Sequence, residues 1–93
     1  MKLLNFQEFL AEELEESFMA VADAENARVR SEEVDPTTSE YNLLRAKMHF
    51  NYARHHNDLA SFHARNGNTE KSLHHANIAK NHRIRYQSHI KAP

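Results

Sequence analysis

His63-Ala64-Arg65-Asn66-Gly67-Asn68-Thr69-Glu70-Lys71-Ser72-Leu73-His74-His75 is the stretch on which the fold turns. Gly67, the sole glycine of the 93 residues, can take the left-handed backbone that ends a helix, and Asn68 can cap the next one ahead of Thr69-Glu70. The stretch therefore reads as helix end, tight turn and helix start. Outward from it, His49, His56 and His63 recur every seven residues on one side, and His75, His82 and His89 do so on the other. The pairs His63/His75, His56/His82 and His49/His89 lie symmetrically about the turn, so an antiparallel hairpin sets the two series opposite one another as a histidine ladder. One position round, Ala46, Ala53 and Ala60 repeat at the same period, as do Ser72, Ala79 and Tyr86, and small side chains let two helix axes approach closely.

Further upstream, Val34-Asp35-Pro36-Thr37-Thr38 interrupts the helical pattern. Asp35 can cap a helix and Pro36 suits its first position, which predicts a helix over 36–65 and a partner over 69–90. Before the break, Leu3, Phe6, Leu10, Leu14, Phe18 and Val21 fall three and four apart and predict an amphipathic helix over 3–33. The face of the second helix bearing Met48, Tyr52, Leu59 and Phe62 is free to pack on that first helix or on another subunit, and three helices can close around it. The expected fold is all-α: a single helical domain over 1–93, a small bundle with a long N-terminal amphipathic helix and a C-terminal antiparallel helical hairpin. The hairpin also resembles a tetratricopeptide repeat in Leu59-Ala60, Gly67, Ser72 and Ala79, which implies helix–turn–helix geometry.

Composition agrees. One Gly and 2 Pro leave too little punctuation for many short strands, and the absence of Cys removes thiolate and disulfide chemistry. No apolar run approaches the roughly 18 residues of a membrane span, so no membrane partner is expected. Catalysis has no visible basis: there is no Gly-rich phosphate loop or nucleophile elbow, and Ser17, Ser31, Ser39, Ser61, Ser72 and Ser88 have no motif joining them to a base, so a non-enzyme is expected. The 8 His invite a metal, but neither a Glu-x-x-His pair nor a His-Glu-x-x-His run occurs. No metal site and no cofactor are assigned, and His49, His56, His63, His75, His82 and His89 are read as a semi-polar seam.

Net charge hides an asymmetry. Residues 1–40 set Lys2, Arg28 and Arg30 against eleven carboxylates, while residues 41–93 set nine Lys and Arg against Asp58 and Glu70. Acidic and basic segments are expected to face each other inside the fold or across a homo-oligomer. Lys47 and Arg54 lie on one heptad line pointing away from the histidines, and Lys80 and Arg83 on the outer side of the third helix. These four are candidate contacts to a polyanion, including non-specific DNA.

The opening Met1-Lys2 followed by Phe6-Gln7-Glu8-Phe9-Leu10-Ala11-Glu12 resembles the capsid-targeting leader of the internal head proteins of T-even-type tailed bacteriophages. Those leaders combine a Met-Lys start and an aromatic residue with Gln-Glu-Phe-Ile-Ala-Glu; here two extra residues are inserted before the aromatic and Leu10 replaces Ile. In that family a prohead protease cuts after a Glu two positions beyond Leu or Ile, before a small residue. Leu10-Ala11-Glu12 is followed by Glu13, whereas Leu14-Glu15-Glu16 followed by Ser17 meets the whole rule. The resemblance implies a cleavable leader over 1–16, the prohead scaffold or core and the prohead protease as partners, and a place in the virion interior with delivery to the host cytoplasm. Cutting after Glu16 would leave residues 17–93 at +3, a basic product. Two other readings stand beside it: a small helical module that inhibits a host protein through its Tyr/Phe/Met face, and a helical protein responsive to metal or pH through its histidines.

Overall fold

The Asn66-Gly67-Asn68 turn closes as its residue types require. In the computed structural model, which describes residues 6–91 and the side chains of 17–91, Gly67 has φ +75°. The Gly67 amide donates to the Ala64 carbonyl at 3.1 Å and the Asn68 amide to the His63 carbonyl at 2.8 Å, the paired bonds of a Schellman ending. Asn68 then caps the following helix, its side-chain oxygen accepting from the Lys71 amide at 3.1 Å. The elements are α1 (Phe6–Glu32), α2 (Ser39–Arg65) and α3 (Thr69–Lys91), and the fold is an all-α small helical bundle ending in an antiparallel hairpin.

The α1–α2 connection differs from the expected one. Thr38, not Asp35, is the cap of α2: its backbone is extended at φ −91°, ψ 155°, and its hydroxyl accepts from the Tyr41 amide at 3.2 Å. Asp35 instead opens a turn, its carboxylate accepting from the Thr37 amide and hydroxyl at 2.8 and 2.7 Å while its carbonyl accepts from the Thr38 amide at 3.1 Å. Pro36, with its fixed φ, fits the second position of that turn as well as a first helical turn, and two consecutive threonines moved the cap three residues downstream.

The packing of α1 is a second correction. Phe18 is two-thirds exposed, and the stripe that α1 buries is Ser17, Ala20, Ala24, Ala27 and Ser31, spaced three and four apart. Small residues win this face because they admit α2 closely: Met48 packs between Ala24 and Ala27, with Tyr52 against the same cluster. Thus part of the Met48/Tyr52 face is covered by α1. The expected stripe residues Leu3, Phe6, Leu10 and Leu14 lie outside the described side chains. Among the described residues α1 and α3 each pack along α2 and not on one another. On the α2–α3 side Ala46, Ala53, Ala60 and Ala79 are buried, and the Ser72 hydroxyl donates across to the Ala60 carbonyl at 2.8 Å. Ala79 is the one buried residue among those described in α3, whose Leu73, Ile84 and Ile90 point outward.

Candidate functional site

A seven-residue period advances a helical residue by nearly two full turns, so each histidine series forms one line along its helix. In the antiparallel hairpin the two lines do not merely face each other: they interdigitate. The rings run His63, His75, His56, His82, His49, His89 along the seam, with successive centroids 5.5, 5.2, 5.9, 5.2 and 5.6 Å apart. The three expected pairs have the smallest interplanar angles of the column, 6° for His63/His75, 7° for His56/His82 and 12° for His49/His89, with His56/His75 next at 19°. Hydrogen bonds join the intervening register. Nδ1 of His56 lies 3.0 Å from Nδ1 of His75, and Nδ1 of His49 lies 2.9 Å from Nδ1 of His82. At one end His89 Nδ1 meets the Asn42 side-chain oxygen at 3.1 Å and Tyr41 edge-on; at the other, Phe62 stands edge-on to His63.

Each Nδ1–Nδ1 joint needs one ring protonated at Nδ1 as donor and one with a bare Nδ1 as acceptor, so the two members carry opposite tautomers. A joint can hold one extra proton on a remote Nε2. A second removes the accepting lone pair and sets two cations in contact. The surroundings oppose charge further. Burial, followed by His82, His89, Arg85 and Arg45, pushes His49 down to about 4, and burial, followed by His55, His75, His82 and His74, pushes His56 down to about 4. Burial also lowers His75, His82 and His89, with Lys71 adding to the effect on His75, Arg85 on His82, and Arg45 on His89. The column is thus walled by cations. Among the described residues no three His, Asp or Glu converge as a metal would require; the column offers nitrogens in pairs.

Two contacts that sequence spacing does not signal tie α1 to this seam. The Tyr52 hydroxyl donates to the Glu25 carboxylate, while the Tyr52 ring lies 5.2 Å from His82. Burial, then Glu25, pushes the Tyr52 phenol up to about 12, and Tyr52 with Arg28 holds Glu25 below the usual carboxylate range. Separately, the Ser17 hydroxyl contacts His55 Nδ1. A serine does therefore meet a histidine, but Ser17 is buried, and the contact pins α1 to α2.

The leader residues Phe6, Gln7, Glu8, Phe9, Leu10, Ala11, Glu12, Leu14 and Glu16 belong to the helical backbone of α1, and their side chains lie outside those described. Ser17, the residue after the expected cut, is the first described side chain. Of the candidate polyanion contacts, Lys47, Arg54, Lys80 and Arg83 are all exposed. Arg54 and Arg83 meet at one groove of about 420 Å³ between α2 and α3, and Lys80 joins Arg83 in an adjoining hollow, while Lys47 lines neither. Compared with family models, curated proteins and solved structures, the chain matches none.

Proposed function

We propose that this chain is a non-enzymatic internal head or structural protein of a tailed bacteriophage, brought into the prohead by its N-terminal helix and delivered to the host with the DNA. The observation that carries the reading is the leader-like sequence from Phe6 to Glu12 with the cleavage rule met at Leu14-Glu15-Glu16-Ser17. A continuous α1 helix suits a leader that offers one face to a scaffold partner. It also constrains the order of events. The Glu16–Ser17 bond lies inside α1 and Ser17 is buried against His55, so the protease acts before α1 docks or on a transiently opened α1.

The test has two arms. Residues 1–16 fused to an unrelated small protein should carry it into phage heads, and incubation of the full chain with a T-even-type prohead protease should yield a product beginning at Ser17 by mass spectrometry, lost in Glu16→Ala. Exclusion of the passenger from purified heads defeats the targeting reading; an uncut chain that still enters heads defeats the cleavage site alone.

A second reading, a pH-responsive helical module, is favoured by the interdigitated column, which holds α3 to α2 largely through uncharged imidazoles.

A further inference from the structure

The α2–α3 seam has a second side. Away from the column, Phe50, Ala53, Arg54, Asn57 and Asp58 of α2 and Arg83, Tyr86 and Gln87 of α3 line the groove of about 420 Å³. Its size falls within the range of small-ligand pockets, about 300–1,000 Å³. Two aromatic rings form its wall: Phe50 and Tyr86 lie 5.6 Å apart at 48°, and Phe50 stays about half exposed although helix packing could have hidden it. Two guanidinium groups stand at its rim, and among the described residues neither is in an ion pair, since both ion pairs there belong to Arg28. Arg83 donates to the Asn57 side-chain oxygen at 3.3 Å, which spans the groove and holds its guanidinium in place before any ligand arrives. Lys80 extends the positive track into a hollow of about 310 Å³ shared with Arg83, Ile84 and Gln87. Asp58 is the sole carboxylate in either lining.

We infer that this groove binds single-stranded nucleic acid, with bases stacking on Phe50 and Tyr86 and phosphates held by Arg54, Arg83 and Lys80. An exposed ring, Phe50, and a half-buried one, Tyr86, beside unpaired cations are the pairing that such strands exploit, because every base has a stacking face and every nucleotide a charge. A duplex hides its bases and would leave the rings unused. An acidic peptide would satisfy the cations but has no planar group for the rings. Asp58, Asn57 and Gln87 supply acceptors and donors for base edges. The inference goes beyond the phage reading and does not rest on it: the residues belong to α2 and α3, and the leader to α1.

The probe is the full chain with a fluorescently labelled 12-nucleotide oligo-dT, followed by anisotropy from 50 to 300 mM salt. A duplex of equal length, polyphosphate and polyglutamate serve as competitors. Three phosphate contacts predict a log–log salt slope of about −2, at about 0.7 per contact on a single strand. Arg54→Ala and Arg83→Ala should each reduce that slope by about 0.7, whereas Phe50→Leu, which keeps an apolar contact with Tyr86, should weaken oligo-dT binding about five- to a hundredfold with the slope unchanged. Amide NMR shifts on the unaltered chain, free of any question of variant folding, should centre on residues 50–58 and 80–87. Absent binding at 50 mM salt, polyphosphate or polyglutamate competing as well as the oligonucleotide, tighter duplex binding, an indifferent Phe50→Leu, or shifts centred elsewhere would each overturn the inference.

Discussion

Acidification should loosen the protein through its histidines, and the sign and size follow from the column. A histidine in the unfolded chain titrates near 6.5, while His49 and His56 are held near 4 when folded. Between those values the unfolded state binds more protons, so stability is full above pH 6.5, falls as pH drops toward 4, and stops falling below that. For one such group the change from pH 8 to pH 5 is about 2 kcal/mol. His49 is buried and His56 half-buried, and discounting for solvent screening leaves about 1 kcal/mol for each. His49 and His56 together then remove about 2 kcal/mol, a fall in melting temperature of about 8–16 °C for a domain of this size. Carboxylates do not confuse the window, because Glu25 and Asp35 are lowered from values already below pH 5. The assay is thermal unfolding by circular dichroism at pH 5, 6, 7 and 8, with and without zinc, on the unaltered chain and on His56→Gln, which keeps a polar side chain but cannot titrate. Zinc should leave the midpoint unmoved and His56→Gln should reduce the acid-induced fall by about half, His49 supplying the rest. A flat profile in the unaltered chain, or greater stability at pH 5 than at pH 8, refutes the column as a set of neutral, mutually bonded rings.

Other perturbations read other parts of the structure. Gly67→Ala should cost about 1–2 kcal/mol in chemical denaturation, wholly from its φ of +75°, because nothing stands within 4 Å of where the new Cβ would lie. Ala79→Leu should cost about 1–3 kcal/mol by forcing α2 and α3 apart at a fully buried position; an unchanged midpoint would show that the helices do not approach closely there. Tyr52→Phe should cost about 1 kcal/mol in the same assay by deleting the hydroxyl that reaches Glu25, and it should let the Glu25 carboxyl titrate nearer its ordinary value by NMR. Self-association driven by the exposed Leu43, Phe50, Leu73 and Ile84 should appear in sedimentation at high concentration and weaken in Leu43→Lys.

The hairpin was legible because its signals are local and chemically narrow. Gly67 has one conformational use at a helix end, Asn68 one at a helix start, and a seven-residue period lays out a line without knowledge of tertiary contacts. What period alone cannot supply is axial stagger. His63/His75, His56/His82 and His49/His89 were readable as facing pairs, but whether rings meet head-on or slide between one another depends on the offset of two helices by a few ångströms, and that offset created the His49/His82 and His56/His75 bonds. Phe18, expected inside and found outside while Val21 of the same stripe is half-buried, departs for a different reason. Large apolar residues mark a stripe when a helix packs at ordinary distance, but a close approach reverses the preference, so Ala20, Ala24 and Ala27 went inside and Phe18 outside. Contacts such as Tyr52 with Glu25 and Ser17 with His55 join residues 27 and 38 positions apart and leave no periodic trace.

The distribution of apolar burial explains why a polar column can matter so much here. α1 is fixed to α2 by Ala24, Ala27 and Met48, with the Ser17 contact to His55 beside them. α3 has Ala79 alone fully inside among its described residues, while Leu73, Ile84 and Ile90 face outward, so the apolar part of the α2–α3 attachment is made mainly of small side chains, with Ala46, Ala53 and Ala60 on α2. The remainder falls to stacked and bonded imidazoles, whose contribution depends on their being uncharged, and to the Phe50–Tyr86 contact on the far side of the seam. The two attachments of α2 therefore differ in make-up: the α1 side combines apolar packing with the single Ser17–His55 contact, and the α3 side carries the whole histidine column. They meet at Tyr52, whose hydroxyl reaches Glu25 of α1 and whose ring lies against His82 of α3. On the pH-responsive reading, α3 is expected to open from α2 in mild acid, and the groove containing Phe50, Arg54, Arg83 and Tyr86, built from both halves of the hairpin, would be dismantled with it.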